Sequence, residues 1–336
     1  METPILRIET PQSFHRSVAQ ASELLRAGEI VAVPTETVYG LAANALNSAA
    51  VRKIYEAKGR PAYNPIIVHV ASLSMARQHV RAWPEIADIL AAKFWPGPLT
   101  LVLPKSDSVP SVVTAGGETV GIRWPLHPFM QELIRECAFP IAAPSANLAN
   151  QLSPTTGDHV FQSLGGRIPL IVDAGPSSIG LESTVLDLTS IPLRVLRPGM
   201  ISAEQISDAI GLKVVAAGRE SAILKSPGML RKHYSPRARL IISAWASDAE
   251  LEKIARGSGT PLSRIHILAH ERIPHSNPYG RVAVIPHDPE AYARALYAEL
   301  HRSDQLNAAL ILVEAPPPES HWDAIRDRLR RASGNG

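Results

Sequence analysis

Basic residues stand beside small and rigid ones in the segment Lys58-Gly59-Arg60-Pro61, and Asn64-Pro65 follows shortly after it. Arginine makes a forked contact with a phosphate group, and lysine makes a point-charge contact. The prolines restrict the backbone, which suits a rigid site. The alternative is that the two cations cap the end of a helix. The segment therefore predicts a phosphate clamp, with helix capping as the other interpretation.

An arginine lies inside an apolar strand pattern, in the segment Thr119-Val-Gly-Ile-Arg123-Trp-Pro125. A buried charge is costly unless it is paired. Its partner is either a buried carboxylate of the protein or the carboxylate of a ligand. We favour the ligand, because Trp124-Pro125 ends the strand just beyond Arg123.

Small and hydroxyl-bearing residues follow or open several other predicted strands. The segments are PTETVYGL at 34–41, APSAN at 143–147, SPT at 153–155, EST at 182–184 and LRPG at 196–199. Ligands of open α/β sheets collect at the carboxyl ends of strands, and small residues allow close approach to the backbone. Arg197 adds another candidate cation for a phosphate. Tight turns and capped helices are the structural alternative.

Composition and missing motifs exclude several classes of protein. The 336 residues are 45% hydrophobic and 19% charged, as in globular proteins, and the net charge of +3 is too small to indicate nucleic-acid binding. The single cysteine, Cys137, excludes an intrachain disulfide and a cysteine-based zinc cluster. No P-loop, H-E-x-x-H or G-x-S-x-G motif is present. Without a signal peptide or an apolar run of ~18 residues, the protein is expected to be cytoplasmic, with no membrane partner.

The elements that position these residues alternate between strand and helix, which predicts the α/β class. Ser48 is expected to cap the second helix and Gly59 to end it. Strands are expected at 30–33, 65–70, 99–103, 120–123, 141–143, 170–172, 184–188 and 193–196. Helices are expected at 14–27, 49–58, 73–81, 85–94, 127–136, 156–164 and 202–210.

A change of pattern divides the chain into a domain over 1–211, a linker over 212–239 that contains SPGMLRKHYSP, and a domain over 240–336. The last domain is expected to be small, Rossmann-like and doubly wound, without the G-x-G-x-x-G turn of dinucleotide-binding domains. Its strands are predicted at 240–244, 265–268, 282–285 and 308–313, and its helices at 248–256, 289–302 and 320–331.

The motifs are weak one by one, but their order and spacing resemble the YrdC-like family of threonylcarbamoyl-AMP synthases. They are PTETVYGL, KGRP-x-x-NP, WPGPLTLVL, GIRWP, APSAN-x-x-x-x-x-SPT, ESTVLD and LRPG. The resemblance covers residues 10–211, and the linker and last domain are similar to the longer, two-domain members. It implies a twisted, open sheet around a deep, positively lined cavity.

The resemblance also assigns site residues. Positions that hold L-threonine are matched by Thr35, His69, Arg123, Ala143 and Ser183. The catalytic set around the nucleotide is matched by Lys58, Arg60, Ser145 and Asn147, and other ATP contacts by Asn64, Thr119, Ser153, Arg197 and Tyr234. Arg123 would take the carboxylate of threonine. With His233, Tyr234 would form a lid over the nucleotide.

The activity implied is an L-threonylcarbamoyladenylate synthase, a nucleotidyltransferase that uses L-threonine, bicarbonate or CO2, and ATP with Mg²⁺. Its product serves a tRNA threonylcarbamoyl-transferase machinery, and weak tRNA binding stays open. No protein metal ligand, nucleophile or general base is predicted. One alternative is a tRNA- or double-stranded-RNA-binding module without catalysis. Another, a carbamoyl-transfer domain, needs cysteine-rich zinc motifs that a single cysteine rules out.

Overall fold

The computed structural model describes residues 2–61, 63–216, 234–275 and 278–334. It divides into two compact units. The first comprises Met1–Ala149 and Ser153–Met229, and the second comprises Asn150–Leu152 and Leu230–Gly336. Among the described residues, no helix combines the length and the apolar character that a membrane crossing requires.

The described part of the first unit contains eleven strands and seven helices. Its strands are β1 (Ile5–Arg7), β2 (Val31–Val33), β3 (Gly40–Asn44), β4 (Val68–His69), β5 (Leu99–Pro104), β6 (Thr119–Arg123), β7 (Ile141–Ala142), β8 (Ile171–Asp173), β9 (Thr184–Asp187), β10 (Leu193–Arg197) and β11 (Val214–Ala216). Its helices are α1 (Pro11–Arg26), α2 (Ser48–Lys58), α3 (Leu73–Gln78), α4 (Glu85–Phe94), α5 (Pro128–Cys137), α6 (Gly157–Leu164) and α7 (Ala203–Ile210).

These described strands form one mixed sheet in the order β1-β8-β2-β3-β7-β4-β6-β5-β9-β10-β11. It contains both parallel pairs, such as β4–β6, and antiparallel pairs, such as β3–β7. Both faces are covered: Val31 and Val33 pack in one apolar cluster, while Ala32 between them packs in the other. The predicted α/β class with a twisted sheet is therefore confirmed for this unit.

The predicted elements are mostly present, with instructive exceptions. The sequence predicts no strand where β3 lies, because its Gly-Leu-Ala-Ala-Asn sequence lacks β-branched residues. Its conformation depends on pairing with β2 and β7. The strand predicted at 65–70 is reduced to β4. Asn47, rather than Ser48, caps α2, and its side chain accepts from the amides of Ala49 and Ala50. Gly59 ends that helix as predicted, with φ at 58°.

The predicted linker over 212–239 is partly structured. Strand β11 lies inside it and pairs in parallel with β10, so the sheet extends beyond residue 211. Residues 217–233, including His233 of the predicted lid, lie outside the described residues.

The second unit contains β12 (Arg239–Ser243), α8 (Asp248–Gly257), β13 (Ile265–Ala269), β14 (Arg281–Val284), α9 (Pro289–Gln305), β15 (Leu310–Glu314) and α10 (Asp323–Ala332). Its described strands form a parallel sheet in the order β12-β15-β13-β14. Short 3₁₀ turns at Leu262–Arg264 and Ser320–Trp322 precede β13 and α10. This matches the predicted small Rossmann-like domain.

Candidate functional site

Two threonine hydroxyls lie in the buried turn between β2 and β3. Thr35 Oγ1 donates to the carbonyl of Val38 at 2.6 Å, and it accepts from the amides of Thr37 and Val38. Its oxygen lies 2.9 Å from Thr37 Oγ1. Since the one hydrogen of Thr35 goes to Val38, Thr37 must donate to Thr35. The hydroxyls thus form a directed chain at the end of β2.

Arg123 ends β6 and continues this chain. Its Nη1 donates to Thr37 Oγ1 at 2.9 Å, its Nε donates to the carbonyl of Gly97 at 3.2 Å, and its Nη2 lies 2.6 Å from Glu36 Oε1. The side chains of Arg123 and Glu36 are only 5% and 3% exposed. The structure thus shows one of the two partners that the sequence allowed, a buried carboxylate of the protein, while the favoured ligand carboxylate stays a prediction.

Glu36 is the functional candidate that the sequence reasoning missed. Burial raises the pKa of its carboxyl group, but the charge of Arg123 and the amide of Leu126, 3.0 Å from Oε1, outweigh burial and lower the pKa below its ordinary value. The carboxylate is therefore charged at neutral pH. Its Oε2 is buried and accepts no hydrogen bond from the described residues. The available signal was its position between Thr35 and Thr37, directly after a buried strand.

His69 lies beside Arg123, since the two residues pair in register between the parallel strands β4 and β6. Burial, and then the charge of Arg123, lower the pKa of His69 to about 3. The ring is therefore neutral at physiological pH. Its buried Nδ1 has no hydrogen-bond partner among the described residues. A neutral imidazole with an unused ring nitrogen can bind a polar ligand but cannot supply positive charge.

The pKa of His69 predicts how stability changes with pH. An unfolded histidine titrates near pH 6.5, so between pH 6.5 and 3 the unfolded state binds one more proton than the folded state. Stability should fall as the pH drops through this range, by up to about 1.4 kcal/mol per unit. Urea unfolding at pH 6 and pH 4 should show a smaller loss in His69→Gln. His15→Gln, which removes an exposed imidazole of α1, should behave as wild type; equal slopes in all three proteins would contradict the prediction.

Lys58, the last residue of α2, is fully buried and binds the segment after β7. Its Nζ donates to the carbonyl of Ser145 at 2.5 Å, closely to the carbonyl of Asn147, and at 3.5 Å to Asn147 Oδ1. Burial, and then the neighbouring charge of Arg60, lower the pKa of Lys58 well below its ordinary value. Lys58 therefore contacts two other members of the predicted catalytic set, Ser145 and Asn147.

Arg60 holds the backbone that follows α2. Its Nε donates to the carbonyl of Asn64 at 3.1 Å, and its Nη2 donates to the carbonyl of Pro65 at 2.7 Å. The side-chain oxygen Oδ1 of Asn64 is buried and has no partner among the described residues. Lys58 and Arg60 thus both donate from buried side chains to carbonyls outside α2, and helix capping alone does not explain these contacts.

Ser183 and Arg197 meet across the neighbouring strands β9 and β10. Arg197 donates to both the carbonyl and the hydroxyl of Ser183 at 3.0 Å, and that hydroxyl lies 2.8 Å from Thr100 Oγ1 of β5. Ser153 donates a short hydrogen bond to Glu182, the residue before Ser183. A Cβ at Gly199 would lie 2.3 Å from the amide of Thr184, so this strand end requires glycine.

Ala143 and Gly40 provide the close backbone approach that the sequence predicted for small residues. A Cβ on Gly40 would lie 3.2 Å from Cβ of Ala143, and Gly40 bridges to Ser145 across the sheet. Thr119 lies apart from this region. It begins β6, four residues before Arg123, so the two lie about 13 Å apart at opposite ends of the strand.

Tyr234 belongs to the second unit, where it is buried. Its ring centroid lies 6.1 Å from that of Tyr297, and the Arg328 guanidinium lies 5.1 Å from the Tyr234 centroid. The role over the nucleotide therefore stays a prediction, as do the other assigned roles.

The sheet order explains how distant motifs become neighbours. Strands β3-β7-β4-β6-β5-β9-β10 are consecutive in the sheet. They carry, within or next to them, Thr35, Ser145, His69, Arg123, Ser183 and Arg197. This arrangement of buried cations and hydroxyls at adjacent strands defines a ligand-binding α/β protein with a second, Rossmann-like unit.

Comparison with known proteins identifies the family. Residues 23–199 match the model described as Telomere recombination, and residues 201–334 match the model described as Threonylcarbamoyl-AMP synthase, C-terminal domain. The threonylcarbamoyl-AMP synthase of Bacillus subtilis is 45% identical and that of Pyrococcus abyssi 41%; each match covers 94% of this chain and 93% of the relative. The crystal structure of P. abyssi Sua5 complexed with L-threonine superimposes with a TM-score of 0.89 at 38% identity, covering 99% of this chain and 98% of that one. The chain belongs to the threonylcarbamoyl-AMP synthase family.

Proposed function

We propose that this chain condenses L-threonine, bicarbonate or CO2, and ATP to threonylcarbamoyl-AMP and pyrophosphate. Besides family membership, one observation carries the proposal: Lys58, Arg60, Arg123 and Arg197 are all at most 8% exposed. Burying four cations is costly, and a fold that needed only stability would use apolar side chains. Glu36 compensates Arg123, and an anionic ligand such as a triphosphate would further offset the cost of the site as a whole.

The pair formed by Arg123 and Glu36 suits an amino acid, because a zwitterion carries one charge of each sign. Arg123 would attract the carboxylate of threonine, and the buried Oε2 of Glu36 would attract its ammonium group. Thr35, Ala143, Ser183 and neutral His69 would contact the rest of the molecule, by analogy with the family positions. This extends the predicted threonine site by one residue, Glu36.

The nucleotide would lie against the other cations. Lys58, Arg60 and Arg197 are buried and donate hydrogen bonds to carbonyl and hydroxyl oxygens. Asn64, Thr119, Ser145, Asn147, Ser153 and Tyr234 would complete the ATP contacts assigned by resemblance. The distance of about 13 Å between Thr119 and Arg123 suits an extended ligand that reaches beyond the amino acid.

The chemistry needs positioning more than reactive side chains. The amine of threonine adds to CO2 and loses a proton, which forms a carbamate. A carbamate oxygen then attacks the α-phosphate of ATP, and the bond to the leaving pyrophosphate breaks. The cations would stabilise the charge that develops on the phosphate oxygens. Burial of the site would also protect the carbamate and the mixed anhydride from water.

Mg²⁺ would reach this site with ATP. In the described part of the first unit, no three His, Cys, Asp or Glu side chains are close enough to hold a metal ion. Mg²⁺ commonly keeps several waters and binds substrate phosphates with few protein ligands. Mg²⁺ would therefore be held mainly by the phosphates of ATP, where it would help to spread their charge.

The proposal includes the fate of the product. Threonylcarbamoyl-AMP is an activated carbamate, so an acyl-transfer enzyme acting on tRNA must consume it, in the cytoplasm. A non-catalytic RNA-binding module is not favoured, because the cations lie buried within one unit rather than along an exposed face.

Pyrophosphate release tests the function. The purified chain should release pyrophosphate from ATP only when bicarbonate and threonine are both present. Valine has the shape of threonine without its hydroxyl, so a site that hydrogen-bonds this hydroxyl should reject valine by up to ~10⁴-fold. Release that is independent of bicarbonate, or equal for valine and threonine, would contradict the proposal.

A further inference from the structure

A second cluster of potential ligands lies in the C-terminal unit, at the carboxyl edge of its parallel sheet. His270 directly follows β13, His287 lies three residues after β14, and Glu314 ends β15. In parallel sheets, the carboxyl ends of the strands meet at one edge, where ligands bind. A cavity of about 610 Å³ opens there, and these three residues line it.

We propose that His270, Glu271 and His287 form a binding site for a divalent transition-metal ion. Nitrogen or oxygen ligand atoms of the three side chains all lie within 4.8 Å of one another. His270 is buried, while Glu271 and His287 are exposed to the cavity side. This site lies outside the residues assigned to threonine and ATP.

The hydrogen bonds of His270 indicate which nitrogen faces the ion. Its Nε2 lies 3.3 Å from the carbonyl oxygen of Ala315, which can only accept, so Nε2 carries the proton. The lone pair of Nδ1 therefore points at Nδ1 of His287, 2.8 Å away. Without an ion, His287 must donate a proton across this gap. With an ion, that proton moves to Nε2 of His287, and both Nδ1 lone pairs face the metal.

The distance between the two nitrogens fits this exchange. Two imidazole nitrogens bound to one tetrahedral ion at 2.0–2.1 Å lie about 3.3 Å apart. The observed 2.8 Å therefore needs to widen by about 0.5 Å, which small ring rotations allow. A ligand histidine commonly donates its other ring N–H to a carbonyl or carboxylate, as His270 does to Ala315.

The surrounding structure holds the ligands in place. The carboxylate of Glu314 accepts hydrogen bonds from the amides of His270, Glu271 and Arg272 at 2.7–3.0 Å, which fixes the loop that carries two of the ligands. The ring of Trp322 packs against both histidines, with centroid distances of 5.8 and 5.5 Å. These contacts keep both histidine rings beside the cavity before any ion binds.

Charge around the cavity favours a cation over a phosphate. Its lining contains four carboxylates and one guanidinium: Glu250, Glu271, Glu314, Glu319 and Arg272. A nucleotide phosphate would meet net repulsion at this edge. Two imidazole nitrogens with one carboxylate oxygen suit Zn²⁺, Co²⁺ or Ni²⁺ better than Mg²⁺ or Ca²⁺, which prefer oxygen ligands. Three protein ligands leave a fourth position open toward the cavity.

Co²⁺ titration of the full, untagged chain tests the site, because bound Co²⁺ absorbs visible light according to its geometry. We expect one Co²⁺ per chain, displaced by Zn²⁺, with affinity lowered at least tenfold in both His287→Asn and Glu271→Gln. His275→Asn, which removes an exposed histidine outside the cluster, should bind as wild type. Thermal unfolding of each variant checks that the fold is intact.

Several results would overturn the site. They are the absence of saturable Co²⁺ and Zn²⁺ binding, unchanged affinity in His287→Asn and Glu271→Gln, or an equal loss in His275→Asn. Threonine-dependent pyrophosphate release should be retained in His287→Asn, since His287 is not among the residues assigned to threonine or ATP. Metal binding and the proposed synthase activity can therefore fail independently.

Discussion

Lys58→Met is expected to lower kcat/KM for threonine-dependent pyrophosphate release by about 10²–10³-fold, the effect of removing one preorganised charge donor. Methionine keeps the length of the side chain but removes the ammonium group. The carbonyls of Ser145 and Asn147 then lose their donor, and the segment after β7 loses the contact that holds it to α2. The loss should appear in steady-state assays with ATP and threonine varied separately.

Lys53 offers a matched control on the same helix. Its Nζ lies 2.7 Å from Glu29 Oε1, and both side chains are more than a third exposed. Lys53→Met should therefore change kcat/KM by less than about twofold, since exposed ion pairs contribute 0–1 kcal/mol. Comparable activities of the two variants would show that the buried ammonium group has no special role.

Arg123→Met is expected to be the most destabilising of the single substitutions, by about 3–5 kcal/mol. Removing one partner of a buried ion pair leaves the other charge without compensation, and here that charge is Glu36. Urea unfolding measures the loss, and calorimetry should show that threonine binding is lost as well. Arg123→Met combined with Glu36→Gln should recover part of the stability but not the threonine binding.

The effect of Arg123→Met should depend on pH. In the native protein the pKa of Glu36 lies below its ordinary value, so its stabilisation is present above pH ~4.5 and is lost as the pH falls through the folded pKa. In the variant, burial acts without Arg123 and raises that pKa, so Glu36 becomes neutral more readily. The destabilisation should consequently be smaller at pH 4 than at pH 7.

Arg81 is the matched control for this prediction. It pairs with Asp107 at 2.8 Å, a similar distance, but the two side chains are 54% and 92% exposed. Arg81→Met should cost less than about 1 kcal/mol. A loss in Arg123→Met no larger than in Arg81→Met would mean that burial of the Arg123–Glu36 pair does not matter energetically.

Local patterns predicted most elements because they depend on neighbours in the chain. Helix α2 ends at Gly59 for a local reason, the left-handed conformation that glycine tolerates. Strands β3 and β11, which the sequence did not predict, depend instead on distant parts of the chain. Strand β3 contains no β-branched residue and β11 is only three residues long, so pairing with β2, β7 and β10 decides their conformation.

The candidate site likewise combines residues that the sequence identified and contacts that only the tertiary structure reveals. Sequence alone identified Arg123 as a buried charge that requires an anion, but it did not identify Glu36 as a partner within the protein. Glu36 lies 87 positions away and reaches Arg123 only because the sheet places the end of β6 beside the turn before β3. Lys58 and Asn147 are separated by 89 positions and meet for a similar reason.

The amino-acid sequence by itself determined the α/β class, the order of the motifs and the family, because hydrophobic period and motif spacing are properties of the chain. Tertiary structure decided which polar groups are buried together. It assigned Glu36 to Arg123, the carbonyls of Ser145 and Asn147 to Lys58, and His287 to His270. Such pairings depend on strand order and on the exclusion of water, and neither is encoded in the local pattern of residues.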